Sequence, residues 1–184
     1  MNDFNILKPF FEYPKKGFHI REIARLLKKN HMTVRKYLNK YLKEGVLKKE
    51  KTNLYELFKA DENKKFLNLK TYYNLEKIRK SNIVEELNEV FDYPQIILFG
   101  SFSEAKDDET SDVDLCIITN VKKGFETKPF EKIITRKIDL RIFSENEWRT
   151  LIKNNTELVN NIVKGIVLSD EFEVLLWVSK KASP

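Results

Sequence analysis

"LFGSFSEAKDDETSDVDLCII", Leu98 to Ile118, decides the reading of this chain. It leaves an apolar run, turns at Gly100-Ser101, crosses an acidic loop and enters a second apolar run carrying Asp112 and Asp114. A short buried strand is expected over Gln95–Phe99, and another over Val113–Thr119. Side chains alternate faces along a strand, so Asp112 and Asp114 share one face about 6–7 Å apart. Two like charges that close repel each other. They could sit at the solvent end of the strand, with Asp112 capping a turn. A divalent cation would also remove the repulsion, and Mg²⁺ prefers one or two carboxylates together with substrate phosphates.

A third carboxylate points the same way. "KIDLRIFS", Lys137–Ser144, alternates as a strand and places Asp139 between Ile138 and Leu140. An unpaired charge among apolar neighbours is costly, so Asp139 needs a partner or a ligand. Three carboxylates on neighbouring strands can hold two metals for in-line phosphoryl or nucleotidyl transfer. A strand followed by Gly-Ser and a short helix lets backbone amides approach phosphate oxygens.

The first third of the chain has another character. The protein has 184 residues and net charge +6; residues 1–60 hold 15 Lys and Arg against 6 Asp and Glu. That surplus of nine leaves the remainder with a deficit of three, which suggests two modules with different partners. In "GFHIREIARLLKKNHMTVRKYLNKYLKEGVLKKE", Gly17–Glu50, the residues Ile20, Ile23, Ala24 and Leu27 recur at helical spacing. After Lys29-Asn30-His31, Thr33 is the expected N-cap of a second helix, with Val34, Leu38, Tyr41 and Leu42 on its apolar face and Gly45 at its end. An earlier helix is expected over about Phe4–Tyr13, although Pro9 within it argues against one. Two strands around Lys51-Thr52-Asn53 complete a winged-helix pattern.

The opposite face of the second helix carries Arg35, Lys36, Asn39, Lys40 and Lys43, donors suited to phosphates and base edges. Thr33 heads that helix, and Lys49 extends the basic surface onto the wing. DNA binding is one reading; packed helices with a solvated charged face is the other. The segment resembles the winged-helix domains of archaeal and bacterial transcription regulators.

Residues 61–92 read as mostly helical, with Phe66, Leu69, Tyr73 and Leu75 as one apolar patch and Ile83, Leu87, Val90 and Phe91 as a second. Tyr93-Pro94 should end that helix. The expected organisation is a winged helix-turn-helix domain over 1–60, a helical connection over 61–80 and a second domain over 81–184. The lone Cys116 reads as a small buried hydrophobe, and His19 and His31 as turn or surface residues. No apolar run approaches a membrane span, and no secretory signal is evident, so a cytoplasmic protein is expected.

Gly100-Ser101, then Asp112-Val113-Asp114, then Asp139 in its own strand resemble the nucleotidyltransferase superfamily of DNA polymerase beta, in particular the minimal nucleotidyltransferases of archaea and bacteria. "NNIVKGIVLS", from Asn160, is similar to their late short strand. The implied fold is α+β: a winged helix-turn-helix, then a mixed sheet flanked by helices. The resemblance implies that Asp112, Asp114 and Asp139 hold two Mg²⁺ ions. Asp139 would also act partly as general base, and Gly100, Ser101, Ser103 and Lys106 would bind the nucleotide, an NTP such as ATP. Members often carry a basic residue and then glycine shortly after Gly-Ser; here Glu104 and Ala105 stand there, with Lys106 as the replacement charge.

NMP would pass to a hydroxyl acceptor. Small stand-alone members resemble the antitoxin half of toxin–antitoxin pairs, which implies a cognate helical protein as acceptor. The other functional reading is a DNA-binding regulator whose second domain only binds nucleotide or mediates association. Arg136, Lys137 and Arg141 are candidate phosphate or acceptor contacts, or a solvated edge. Trp148 and Trp177 read as core or interface, and "EFEVLLWVS" near the C-terminus as a homodimer or partner surface, or as packing on the domain's own sheet.

Overall fold

A computed structural model describes residues 3–51 and 56–169. Trp177 and "EFEVLLWVS" lie outside the described residues. The chain divides into two compact units, Met1–Tyr73 and Asn74–Pro184.

The first unit begins with a 3-10 turn over Asp3–Leu7 and helix α1, Lys8–Glu12. Pro9 lies in the first turn of α1, which is why the expected single helix is split there. Helices α2, Ile20–Leu26, and α3, His31–Lys43, follow, then strands β1, Leu47–Lys51, and β2, Glu56–Ala60, paired antiparallel. Phe10, Phe11, Phe18 and Phe58 form the buried core with Ile23, Val34, Leu38 and Tyr41 from the expected apolar faces, while Ile20, Ala24, Leu27 and Leu42 pack against it partly buried.

The cap of α3 is not Thr33. Asn30 takes that place, in extended conformation, and its side chain accepts from the Met32 amide at 2.8 Å. Thr33 sits half-buried one turn on. Gly45 ends the helix at φ +69, in the left-handed region that glycine tolerates.

Helix α4, Lys64–Ser81, is headed by Asn63, whose Oδ1 accepts from the Lys65 and Phe66 amides while its Nδ2 donates to the Gly45 carbonyl. Asn63→Ala should therefore lower stability by about 1 kcal/mol, read as a lower denaturant midpoint with an unchanged slope. Phe66 packs in the first unit's core, with Leu69 and Tyr73 against it. Leu75 does not share that patch; it packs against the core of the second unit, because α4 runs across the division at Tyr73.

The second unit is a mixed α+β layer structure. Helix α5, Ile83–Phe91, starts after a left-handed break at Asn82. It ends two residues before the expected Tyr93, because Asp92 and Tyr93 both turn left-handed. Strand β3, Gln95–Phe99, is followed by the single-turn helix α6, Gly100–Ser103, strand β4, Val113–Ile118, helix α7, Lys128–Ile134, and strand β5, Ile138–Phe143. Helices α8, Glu145–Asn154, and α9, Thr156–Val163, lead to β6, Ile166–Val167.

The sheet order is β5-β4-β3-β6, with β4 and β5 parallel and the other pairs antiparallel. Both faces of its centre are covered. Ile96, Leu98, Val113, Leu115, Ile117 and Ile138 share one core with Ile83 and Leu87 of α5. Ile97, Phe99, Cys116 and Ile118 share the other with Trp148 of α8 and Val159 and Ile162 of α9. A strand buried on both faces reads as a continuous apolar run, as β3 does. No helix among the described residues is long and apolar enough to cross a membrane.

Candidate active site

The alternation of β4 and β5 places the carboxylates. Val113, Leu115 and Ile117 face the α5 side, so Asp114 and Cys116 face the α8–α9 side. By the same parity Ile138 and Leu140 face α5, and Asp139 and Arg141 face the other way. Asp114 and Asp139 are register partners across the parallel pair, and Asp112 stands two residues before Asp114, just ahead of β4. All three thus gather at the starting ends of β4 and β5, Asp112 exposed and the other two half-buried.

On the other flank of β4, Phe99 of β3 pairs with Asp114, which brings the Gly100 turn against the same carboxylate. Gly100 adopts φ +71, and a Cβ there would meet the Asp114 side chain, with its Cγ at 3.0 Å. Glycine is required at this position both for backbone conformation and for space. The Ser103 hydroxyl donates to the Gly100 carbonyl at 2.8 Å and is largely buried, so it braces the turn. Ser101 is half-buried at the mouth.

Burial chiefly raises the Asp114 carboxyl above its ordinary value; the like charges of Asp139 and Asp112 add to this, and the Arg141 guanidinium opposes it. Arg141 grips Asp139 directly: its Nη2 and Nε donate to Asp139 Oδ2 at 2.8 and 3.0 Å. The guanidinium also lies 5.8 Å from the centre of the Phe99 ring. Sequence reasoning offered Arg141 as a phosphate or acceptor contact and did not foresee its pairing with Asp139; its position two residues after Asp139, on the same strand face, was the available signal. Burial pushes the Cys116 thiol up to about 12, which makes it a packing residue.

Lys106 pairs with Glu104 at 2.6 Å, both side chains being exposed. Ala105 adopts φ +56, so the backbone at this position takes the conformation for which glycine is suited. The loop after it is tied down by Asn74, a buried residue missed in the sequence, whose Nδ2 donates to the Phe102 carbonyl and to Asp107 Oδ1, both at 2.8 Å.

Among the described residues no group of three His, Cys, Asp or Glu side chains is already arranged to hold a metal ion. The ion pair with Arg141 occupies one Asp139 oxygen. The donors themselves suit a hard cation: they are carboxylate oxygens, gathered at one strand end and mutually repulsive.

A family description, Polymerase beta, Nucleotidyltransferase, matches residues 81–173. The chain belongs to this family. No curated protein sequence matches it. The matched span of this nucleotidyltransferase contains β3, the Gly100 turn, β4, β5 and β6, so the site lies wholly within the family region. At the family level the activity is nucleotidyl transfer.

In the first unit, Arg35, Lys36, Asn39 and Lys40 are exposed on α3. Lys40 stands 3.9 Å from Glu44, and Lys49 pairs with Glu56 at 2.8 Å. Both of those charges are therefore partly answered within the protein.

Proposed function

We propose that the protein is a Mg²⁺-dependent nucleotidyltransferase that moves NMP from an NTP, ATP foremost, to a hydroxyl acceptor, and that its first unit is a winged helix-turn-helix that binds DNA. The observation that carries the enzymatic reading is the in-register pairing of Asp114 with Asp139 beside a glycine turn packed on Asp114.

Asp112, Asp114 and Asp139 would hold the cation. When bound, Mg²⁺ would neutralise phosphate charge and polarise the reacting phosphorus. The Gly100-Ser101 turn would receive the triphosphate, its backbone approaching closely because no side chain intervenes. Asp139, oriented by Arg141, would take the proton of the acceptor hydroxyl. The acceptor oxygen would bond to the α-phosphorus as the bond from that phosphorus to the β-phosphate bridge breaks, and pyrophosphate would leave. The direct test is Mg²⁺-dependent incorporation of α-phosphate label into an acceptor.

The DNA-binding reading rests on α3, whose exposed Arg35 and Lys36 make no ion pair with another described residue. Arg35→Ala with Lys36→Ala should weaken duplex binding and reduce the salt slope by about 0.9 for each phosphate no longer neutralised, measured by anisotropy over a salt series. Binding by the wild-type chain that does not vary with salt would remove this reading.

One observation favours a regulator that only binds nucleotide: near the turn, Lys106 is neutralised by Glu104. On that reading ATP binds, yet label never reaches an acceptor.

A further inference from the structure

A pocket of about 650 Å³ opens in the first unit where α2 turns into α3. It is lined by Arg21, Ala24 and Arg25 of α2, by Lys28 and Lys29 of the turn, and by His31 at the start of α3. Arg21 and Arg25 are one turn apart on the same helix face, about 6 Å along its axis. The Lys29 amide donates to the Ala24 carbonyl at 2.9 Å, which folds the turn back onto α2. Lys28 adopts φ +51, a left-handed conformation that glycine or asparagine takes more easily. The turn nevertheless places a cation there.

The charges of this pocket are unanswered. Apart from Ala24, every lining residue is a cation or a histidine, and all five are exposed. Their side chains make no ion pair or hydrogen bond with another described residue. Arg21 and Arg25 also border a neighbouring pocket that holds two acids, Glu22 and Glu56. Both acids are taken elsewhere: Glu22 pairs with Lys16 at 2.7 Å, and Glu56 with Lys49 at 2.8 Å. A concave site lined by one sign of charge concentrates counter-ions. Guanidinium groups bind phosphate through paired N–H donors, and lysines add point charges.

The arrangement selects the kind of anion. Two arginines on one helix face and two lysines from the turn border a single hollow, which suits several negative charges carried on adjacent phosphates. His31 joins this hollow to the donors of α3, because His31, Arg35 and Asn39 share one stripe at i, i+4 spacing. The pocket therefore adjoins the head of the stripe on which the DNA-binding reading rests. We propose that it binds a polyphosphate anion, either the triphosphate tail of a nucleotide or a free polyphosphate, and that the bound anion competes with duplex DNA for the first unit. The NTP used in nucleotidyl transfer and the pyrophosphate released by it are both such anions. The competition rests on the DNA-binding reading; the binding of polyphosphate does not.

The test uses the full chain in chelator, so that metal-dependent binding at the carboxylates does not contribute. Binding of inorganic tripolyphosphate is measured by calorimetry. Arg21→Gln with Arg25→Gln is expected to weaken it about tenfold or more, since two charge-assisted contacts are lost. Arg35→Ala with Lys36→Ala should change it little. Lys28→Asn suits the left-handed turn, so it should weaken binding while the fold is kept. In a second measurement a fluorescent duplex is followed by anisotropy at constant ionic strength. Tripolyphosphate should release it from the wild-type chain, sulfate at equal ionic strength should not, and the Arg21→Gln, Arg25→Gln chain should resist release.

Comparison of ligands then separates the sources. ATP bound more tightly than tripolyphosphate assigns a nucleotide, and ATP bound equally or more weakly assigns the free anion. Tripolyphosphate binding that survives both the arginine substitutions and Lys28→Asn overturns the proposal. So does release of duplex by sulfate as readily as by tripolyphosphate, which would reduce the effect to screening. Loss of duplex binding on the arginine substitutions, in a chain that binds no tripolyphosphate, would also overturn it and make the pocket a backbone contact. Pocket-dependent binding of tripolyphosphate in a chain that binds no duplex would count against the DNA-binding reading and leave the polyphosphate site standing.

Discussion

Asp114→Asn is expected to abolish NMP transfer and, at the same time, to make the metal-free protein more stable. On the proposed reading this replacement removes a charged metal ligand, and the loss of several kcal/mol of charge stabilisation in the transition state corresponds to about 10³-fold or more in rate. The gain in stability has a separate cause. Asp114 is raised above its ordinary value of 3.8 by burial, by Asp139 and by Asp112. Below 3.8 the carboxyl is protonated whether the chain is folded or not. Between 3.8 and its raised folded value, the folded chain keeps a proton that the unfolded chain has lost. Stability therefore falls as pH rises through that window, and stays lower above it.

Asparagine at 114 cannot ionise, so the variant should lack this decline. Thermal unfolding in chelator should show Asp114→Asn above the wild type at neutral pH, with the difference closing in acid. A variant that is inactive and also less stable at neutral pH would instead mean that the carboxylate is a structural anchor.

Gly100→Ala should damage both fold and site. The left-handed backbone at φ +71 costs a non-glycine residue about 1–2 kcal/mol. The added methyl would also press on the Asp114 side chain, whose Cγ stands 3.0 Å from the position of the new Cβ. Overpacking of this kind costs about 1–3 kcal/mol. A fall of about 2–5 kcal/mol in unfolding free energy is expected, read from denaturant midpoints, together with loss of transfer.

The two contributions can be separated. Asp114→Ala opens the space that the methyl needs, so Gly100→Ala should be less damaging in that background than in the wild type. Equal costs in both backgrounds would place the whole effect in the backbone conformation.

The strands that build the site were legible because their chemistry is local. Five consecutive residues from Gln95 lead into Gly100, four of them apolar, and aspartates alternate with apolar residues in β4 and β5. The opposite faces of Asp114 and Leu115 follow from the strand period alone. The α3 cap was misplaced at Thr33 for an equally local reason: Asn30 is as good a capping residue, and only the backbone shows that Asn30 is extended while Thr33 is already helical.

What escaped depends on distance in the chain or on packing. Leu75 has the helical spacing of Phe66 and Tyr73, yet α4 passes from one core to another between them. Lys106 was the nearest cation to the turn in sequence, but Glu104, two residues away, takes its charge. Arg141 was visible as a cation near the third aspartate; that it holds Asp139 depends on rotamer and register.

The central claim is that the carboxylate cluster directs attack at the α-phosphorus of a bound NTP. It is tested most directly by giving the wild-type chain Mg²⁺ and an acceptor mixture with ATP labelled on either the α- or the γ-phosphate. The account predicts Mg²⁺-dependent transfer of the α label to an acceptor, release of the γ label as pyrophosphate, and neither event with Asp114→Asn. Transfer of the γ label to the acceptor, or α-label transfer that survives Asp114→Asn, would contradict it.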